Sequence, residues 1–291
     1  MNSSATQRMV ASPFRRRLQQ ISGSVTRHTI LLLGSVIMLI PFAWMLATSF
    51  KPPTEVLTWP PEFIPRNPTW QNYFKVMETI PVMRFFFNSL VISIISTLSV
   101  LVTSLMAGYV FAKFRFPGRD VLFIIILATA IVPFEGYMLP FYLQMISIKW
   151  VNTYQGIIAP YAIMSFGIFL MRQHISSAIP DEFIDAARID GASEWAIFQR
   201  IIIPLSTSAL GALGIFAFIQ AWGAFIWPLL IASDQNIFNM ELGLTAFQFK
   251  FSVDYGPLMA GSVLNVLPMI IVFFILRRRI IESIALSGLR G

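Results

Sequence analysis

The 291-residue chain has no cysteine and only two histidines, His28 and His174, far apart in the sequence. The absence of cysteine excludes disulfides, thiolate metal sites and a cysteine nucleophile. No H-E-x-x-H, G-x-S-x-G or G-x4-G-K-[ST] motif occurs. Each would have placed a zinc pair, a serine nucleophile or a phosphate cradle at a fixed spacing. A metal site or a Ser-His catalytic site therefore has nothing to stand on, and the chain should bind no ATP itself. Charge is scarce too, at 12% of residues, where a soluble domain carries about 25%. Solenoid-period repeats and low-complexity tracts are also missing.

What is present is apolar: 56% of residues are hydrophobic and the mean hydropathy is +0.70. A helix crossing about 30 Å of hydrocarbon needs about 20 apolar residues. Charges enclose such runs between Arg27 and Lys51, Arg84 and Lys113, Asp120 and Lys149, Lys149 and Arg172, Arg200 and Asp234, and Asp254 and Arg277. The expectation is an all-α polytopic membrane protein with six transmembrane helices. The first run, from about Thr29 to Phe50, is too long for a signal peptide and lacks a small-residue cleavage site, so it reads as a retained helix.

Lys and Arg set the orientation. With the N-terminus inside, 15 of the 21 basic residues fall on the cytoplasmic side and six (Lys51, Arg66, Lys75, Arg84, Lys149 and Lys250) outside. This bias places both termini in the cytoplasm. The net charge of +7 is spent at the ends of apolar runs, facing membrane lipid, which argues against nucleic acid as a partner. Residues 1–28 read as a cytoplasmic tail with an Arg15-Arg16-Arg17 cluster, either a disordered topogenic segment or a contact for anionic lipid or a partner. Residues 29–291 read as one transmembrane domain with a core over 85–280. Between Lys51 and Arg84 stand seven prolines and two tryptophans, which forbid a long helix and suggest an extended outer loop.

The most charged stretch between runs lies at 174–204, on the cytoplasmic side. Pro180 precedes a first turn bearing Asp181, Glu182 and Asp185, where negative charge suits a helix N-terminus. Gly191 after Asp190 is suited to a helix C-terminus at positive φ. Ser193 is placed to cap a second helix, whose Trp195, Phe198 and Ile202 share a face. Ala186 and Ala187 are small enough for another protein to approach the backbone, and Phe183 offers an apolar anchor.

This stretch resembles the cytoplasmic coupling loop of ATP-binding-cassette importer permeases, E-A-A-x3-G-x9-I-x-L-P. Asp185, Ala186, Ala187, Gly191, Ile201, Ile203 and Pro204 fall on that spacing, with Asp for Glu and Ile for Leu. Trp44 to Lys51, Asn88-Ser89-Leu90, Val151-Asn152-Thr153-Tyr154, Phe169 to Gln173 and the glycine-ended tail Leu286 to Gly291 resemble the G-type subunit of the maltose-permease group over roughly residues 40–291. The resemblance implies half of a heterodimeric pore paired with an F-type permease. It further implies an ABC ATPase dimer that holds ATP and Mg, an external solute-binding protein, and a carbohydrate substrate, with a glycerol phosphate-type solute as the alternative. It also implies that Phe183, Asp185, Ala186, Ala187, Asp190, Gly191 and Pro204 couple the chain to the ATPase, with Ala187 on the docking face. One departure stands out: the family's Trp-Asn-Asp/Glu-Phe is here Trp222-Gly223-Ala224-Phe225, a polar pair become small and apolar.

Glu135 is the one acidic residue inside a run, between Pro133 and Pro140. An intramembrane carboxylate either lines a path or is held structurally by a neighbouring helix. Asn88 and Trp222 join it as candidates for the translocation path. Small residues recur every four positions at Ser104, Gly108 and Ala112, and at Ala217 and Ala221, a signature of close helix packing. A secondary transporter or channel is the rival reading, but it would want several intramembrane charges and inverted repeats.

Overall fold

A computed structural model describes the backbone of residues 13–248 and 252–288. Residues 1–12, Lys250 and the chain from Leu289 lie outside the described residues, as do the side chains of Arg15, Arg16, Arg17, Arg278 and Arg279. Helices dominate, and among the described residues strand pairing is limited to an isolated bridge between Gln248 and Val253.

The six apolar runs all become helical, but only three are single rods: Ser24–Ser49, Val82–Lys113 and Tyr255–Ile275. The other three are bent pairs. Arg119–Thr129 and Phe134–Ser147 meet at 97°, Tyr154–Tyr161 and Ser165–Ala178 at 47°, and Glu194–Leu205 and Thr207–Trp222 at 76°. Proline accompanies two of the three breaks. Pro133 lacks an N–H and disfavours helix in the residue before it, and Pro204 removes a backbone donor inside its helix. Pro133 stands as the N-cap of Phe134–Ser147, and Pro204 sits in the last turn before the third joint. A π-helical turn at Phe198–Ile202 lies within the arm that precedes this joint. Six spans therefore hold when each bent pair is taken as one.

Two expectations need correction. Among the described residues, helix runs unbroken from Pro13 to Ser49, so the second half of the tail is helical; Arg, Leu and Gln favour helix. The segment 51–84 is not extended throughout. Pro68 and Pro81 bracket a proline-free window, within which Gln71–Thr79 forms a helix and buries Tyr73 and Val76.

The second span is the hub, packing against the fourth and fifth, while the fifth also packs against the sixth. The small residues explain the closeness. A Cβ added to Gly108 would sit 2.6 Å from Met171 Cβ, and one added to Gly167 would sit 2.4 Å from Ser104 Oγ. Apolar side chains gain little by leaving lipid for one another, so such contact is what holds membrane helices together. The first span lies against the sixth, and no residue of its apolar window is buried on the chain.

Candidate functional site

The 174–204 loop is built as its residues dictate. Helix Asp181–Ile189 starts after Pro180 and ends in a left-handed residue, Gly191, at φ +81°. The amide of Gly191 donates to the carbonyl of Arg188 (3.0 Å) and that of Ala192 to Ala187 (2.9 Å). This pair of bonds is the Schellman ending, which satisfies carbonyls the helix leaves open. Ser193 Oγ then accepts from the Ala196 amide at 3.2 Å and caps the return helix.

The second span grips this helix at both ends. Lys113 Nζ, at the foot of the span, donates to the Ile179 carbonyl (2.6 Å) and to the Asp181 carboxylate. That hydrogen bond, foremost, holds the Asp181 carboxyl below its ordinary range. One turn earlier on the same face, Tyr109 donates to Glu194 at 2.8 Å, and Glu194 accepts from Arg188 Nε at 2.8 Å. Arg188 also donates to Asp185 at 3.2 Å. Buried Ile184 seats the helix on a core with Tyr109, Ile175, Ile197 and Phe198, a side-chain burial worth about 1.5–3 kcal/mol. Helix, return turn and second span are thus linked as one stiff unit. Nothing in the local sequence marks Lys113 or Tyr109; their partners lie 66 to 85 residues away.

The exposed face of Asp181–Ile189 carries Phe183 (56% exposed), Ala186 and Ile189 (87%). Asp185 and Asp190 are exposed beside them. Ala187 departs from expectation. It is half-buried and packs against the core, because it lies one turn after Ile184 on the inward face. Ala186 is the small residue that faces out, and Ile189 is an exposed apolar residue the motif does not mark. Pro204 stands at the joint of the fifth span, away from this face.

The path candidates separate. Glu135, Tyr137 and Gln220 are exposed in a cavity of about 880 Å³ between the bent third, fourth and fifth spans, with Tyr161, Gly223 and Phe225 also in its wall. That volume falls within the roughly 300–1,000 Å³ of small-molecule sites. Asn88 and Trp222 do not line it. Asn88 is buried, donating to the Asn236 and Phe238 carbonyls at 2.9 and 2.8 Å and accepting from Tyr154 Oη at 2.6 Å. Trp222 is fully buried, stacks on Phe218, and its indole N–H points at Asn265. A polar group in an apolar interior must be satisfied, and long-range partners satisfy both. Gly223, Ala224 and Phe225 of the departing Trp222-Gly223-Ala224-Phe225 lie in the cavity wall, where the small pair carries no polar side chain. Among the described residues no group of three or more His, Asp or Glu could hold a metal ion.

Comparison with known proteins follows this geometry. The family model for the binding-protein-dependent transport system inner membrane component matches residues 102–285. The arabinooligosaccharides transport system permease protein AraQ of Bacillus subtilis is 31% identical over 260 residues, 88% of this chain and 92% of that protein. The diacetylchitobiose uptake system permease protein NgcG of Streptomyces coelicolor is 30% identical over 267 residues, 90% and 88% of the two chains. In structure, a chain of a bacterial ABC transporter involved in alginate import matches with a TM-score of 0.77 at 22% identity, covering 90% of this chain and 97% of that one. The last likeness establishes the fold. The match over most of the bundle, and relatives spanning nearly their whole length, establish that the chain belongs to the binding-protein-dependent transport system inner membrane component family, as a multi-pass permease of the inner membrane.

Proposed function

We propose that this chain is one half of a heterodimeric pore in an ATP-driven importer of a carbohydrate, an oligosaccharide foremost. An external solute-binding protein delivers the sugar and a second, F-type permease completes the pore. A separate ATPase dimer holds ATP and Mg and drives alternating access. Residues 1–28 form the tail, 29–291 the permease domain with its core over 85–280, and the 174–204 loop meets the ATPase on the cytoplasmic side, where both termini also lie.

The observation that carries this reading is the stiff unit at the loop. A lever transmits a push only if its contact face is exposed and its far side is fixed. Here Phe183, Ala186 and Ile189 face out, while Lys113 and Tyr109 tie the helix to the second span, whose opposite half reaches Phe85 and Asn88 beneath the outer segments. A movement of the loop therefore carries the central helix of the bundle with it, a physical link between two sites. Glu135 and the cavity around it supply the substrate path on this side of the pore. Purification in mild detergent tests the assembly. The chain brings down an ATPase and a second permease, and the reconstituted complex takes up a neutral oligosaccharide only with ATP and binding protein. Uptake driven by an ion gradient alone would instead favour a secondary transporter.

A further inference from the structure

We infer that Glu135 makes the cavity a selectivity site for neutral or cationic glycans and bars anionic ones. This deepens the proposed import function and rests on it. Glu135 is the one charged side chain among the residues that line the cavity, which include neither Lys, Arg nor His. Around it the wall offers Tyr137, Tyr161, Gln220 and the ring of Phe225. Aromatic faces suit the C–H faces of a sugar ring, and a few convergent polar groups set its orientation. A carboxylate accepts hydrogen bonds from sugar hydroxyls and pairs with an ammonium. It repels a uronate, sulfonate or phosphate. A pore for anionic glycans would need a cation here, and the wall holds none.

The chain lacks cysteine, so Gln220→Cys gives a single reporter thiol in the cavity. The test uses the full importer in proteoliposomes, treated with cationic and anionic thiosulfonate reagents of matched size. With Glu135 present the cationic reagent reacts at least about fivefold faster, after correction for the intrinsic rates on a free thiol. Adding Glu135→Gln brings the corrected ratio near one, and adding Glu135→Lys inverts it. A neutral oligosaccharide presented with binding protein and ATP slows labelling of the reporter; alginate trisaccharide or glycerol 3-phosphate does not. A ratio that stays the same in Glu135→Gln, in a complex that still imports a neutral oligosaccharide, overturns the filter alone. A complex that imports no glycan overturns the proposed function and this inference with it. Should Glu135→Lys fail to assemble, the Glu135→Gln ratio decides by itself.

Discussion

Replacing Gly191 isolates backbone conformation from packing. Its φ is +81°, and a Cβ built on it meets nothing within 4 Å. Any cost of substitution is therefore conformational. For an ordinary L-residue the left-handed region costs about 1–2 kcal/mol, more for a β-branched one and less for Asn, which visits it readily. The cost falls on the two bonds that turn the chain, Gly191 to Arg188 and Ala192 to Ala187. If the turn opens, the Asp181–Ile189 helix loses its fixed relation to Ser193 and the return helix. A penalty of 1–2 kcal/mol changes a conformational ratio by a factor of about 5–30. Gly191→Val is expected to lower substrate-stimulated ATP hydrolysis and transport together, by up to that factor, in proteoliposomes that contain normal amounts of assembled complex. Gly191→Asn should recover most of the wild-type rate. Wild-type stimulation in Gly191→Val would refute the argument. Equal damage from Asn and Val would also refute it, because the side chain and not φ would then be responsible.

Three further outcomes follow from the packing. Gly108→Val should destabilise the bundle by about 1–3 kcal/mol, the usual cost of overpacking, since its Cβ would meet Met171 and the Arg172 backbone within 3 Å; Gly34→Val, with open space around it, should leave detergent melting curves unchanged. Asn88→Ala should lower the melting temperature, because it strands buried groups at about 1–3 kcal/mol each, yet transport per assembled complex should hold, as it would not if Asn88 touched substrate. Asp181, held below its ordinary range by the hydrogen bond from Lys113, contributes stability that is complete above the unfolded carboxylate range, near pH 4, and is lost as pH falls through its lower folded value. Melting of wild type and Asp181→Asn should therefore run parallel from pH 5 to 8, and only wild type should gain an extra loss under stronger acid.

The parts of the fold legible from sequence are those with local causes. Apolar run length marks the six spans, and Pro180, Gly191 and Ser193 mark the start, turn and restart of the loop, each by its own backbone chemistry. Bends were harder to read: Pro133 and Pro204 are plain in the sequence, but a proline inside an apolar run can either kink or break a helix, and only neighbouring helices decide. Polar residues in apolar runs were ambiguous for the same reason. Asn88 and Trp222 have the composition of path residues, and partners as far as 150 and 43 residues away make them struts. The inward place of Ala187, one turn after buried Ile184, is not legible in the sequence because Phe183, Ile184 and Ile189 are all apolar, so periodicity alone does not choose which side of the helix meets the core.

The central claim is that the exposed face of Asp181–Ile189 docks on the ATPase, and single-cysteine cross-linking tests it most directly. The chain has no cysteine of its own. Cysteines at Phe183, Ala186 and Ile189, each paired with one in the ATPase surface that meets the membrane subunits, should cross-link with a yield that ATP alters. A cysteine at half-buried Ala187 should cross-link far less. Absence of any cross-link along residues 183–190, in a complex that still transports, would contradict the account.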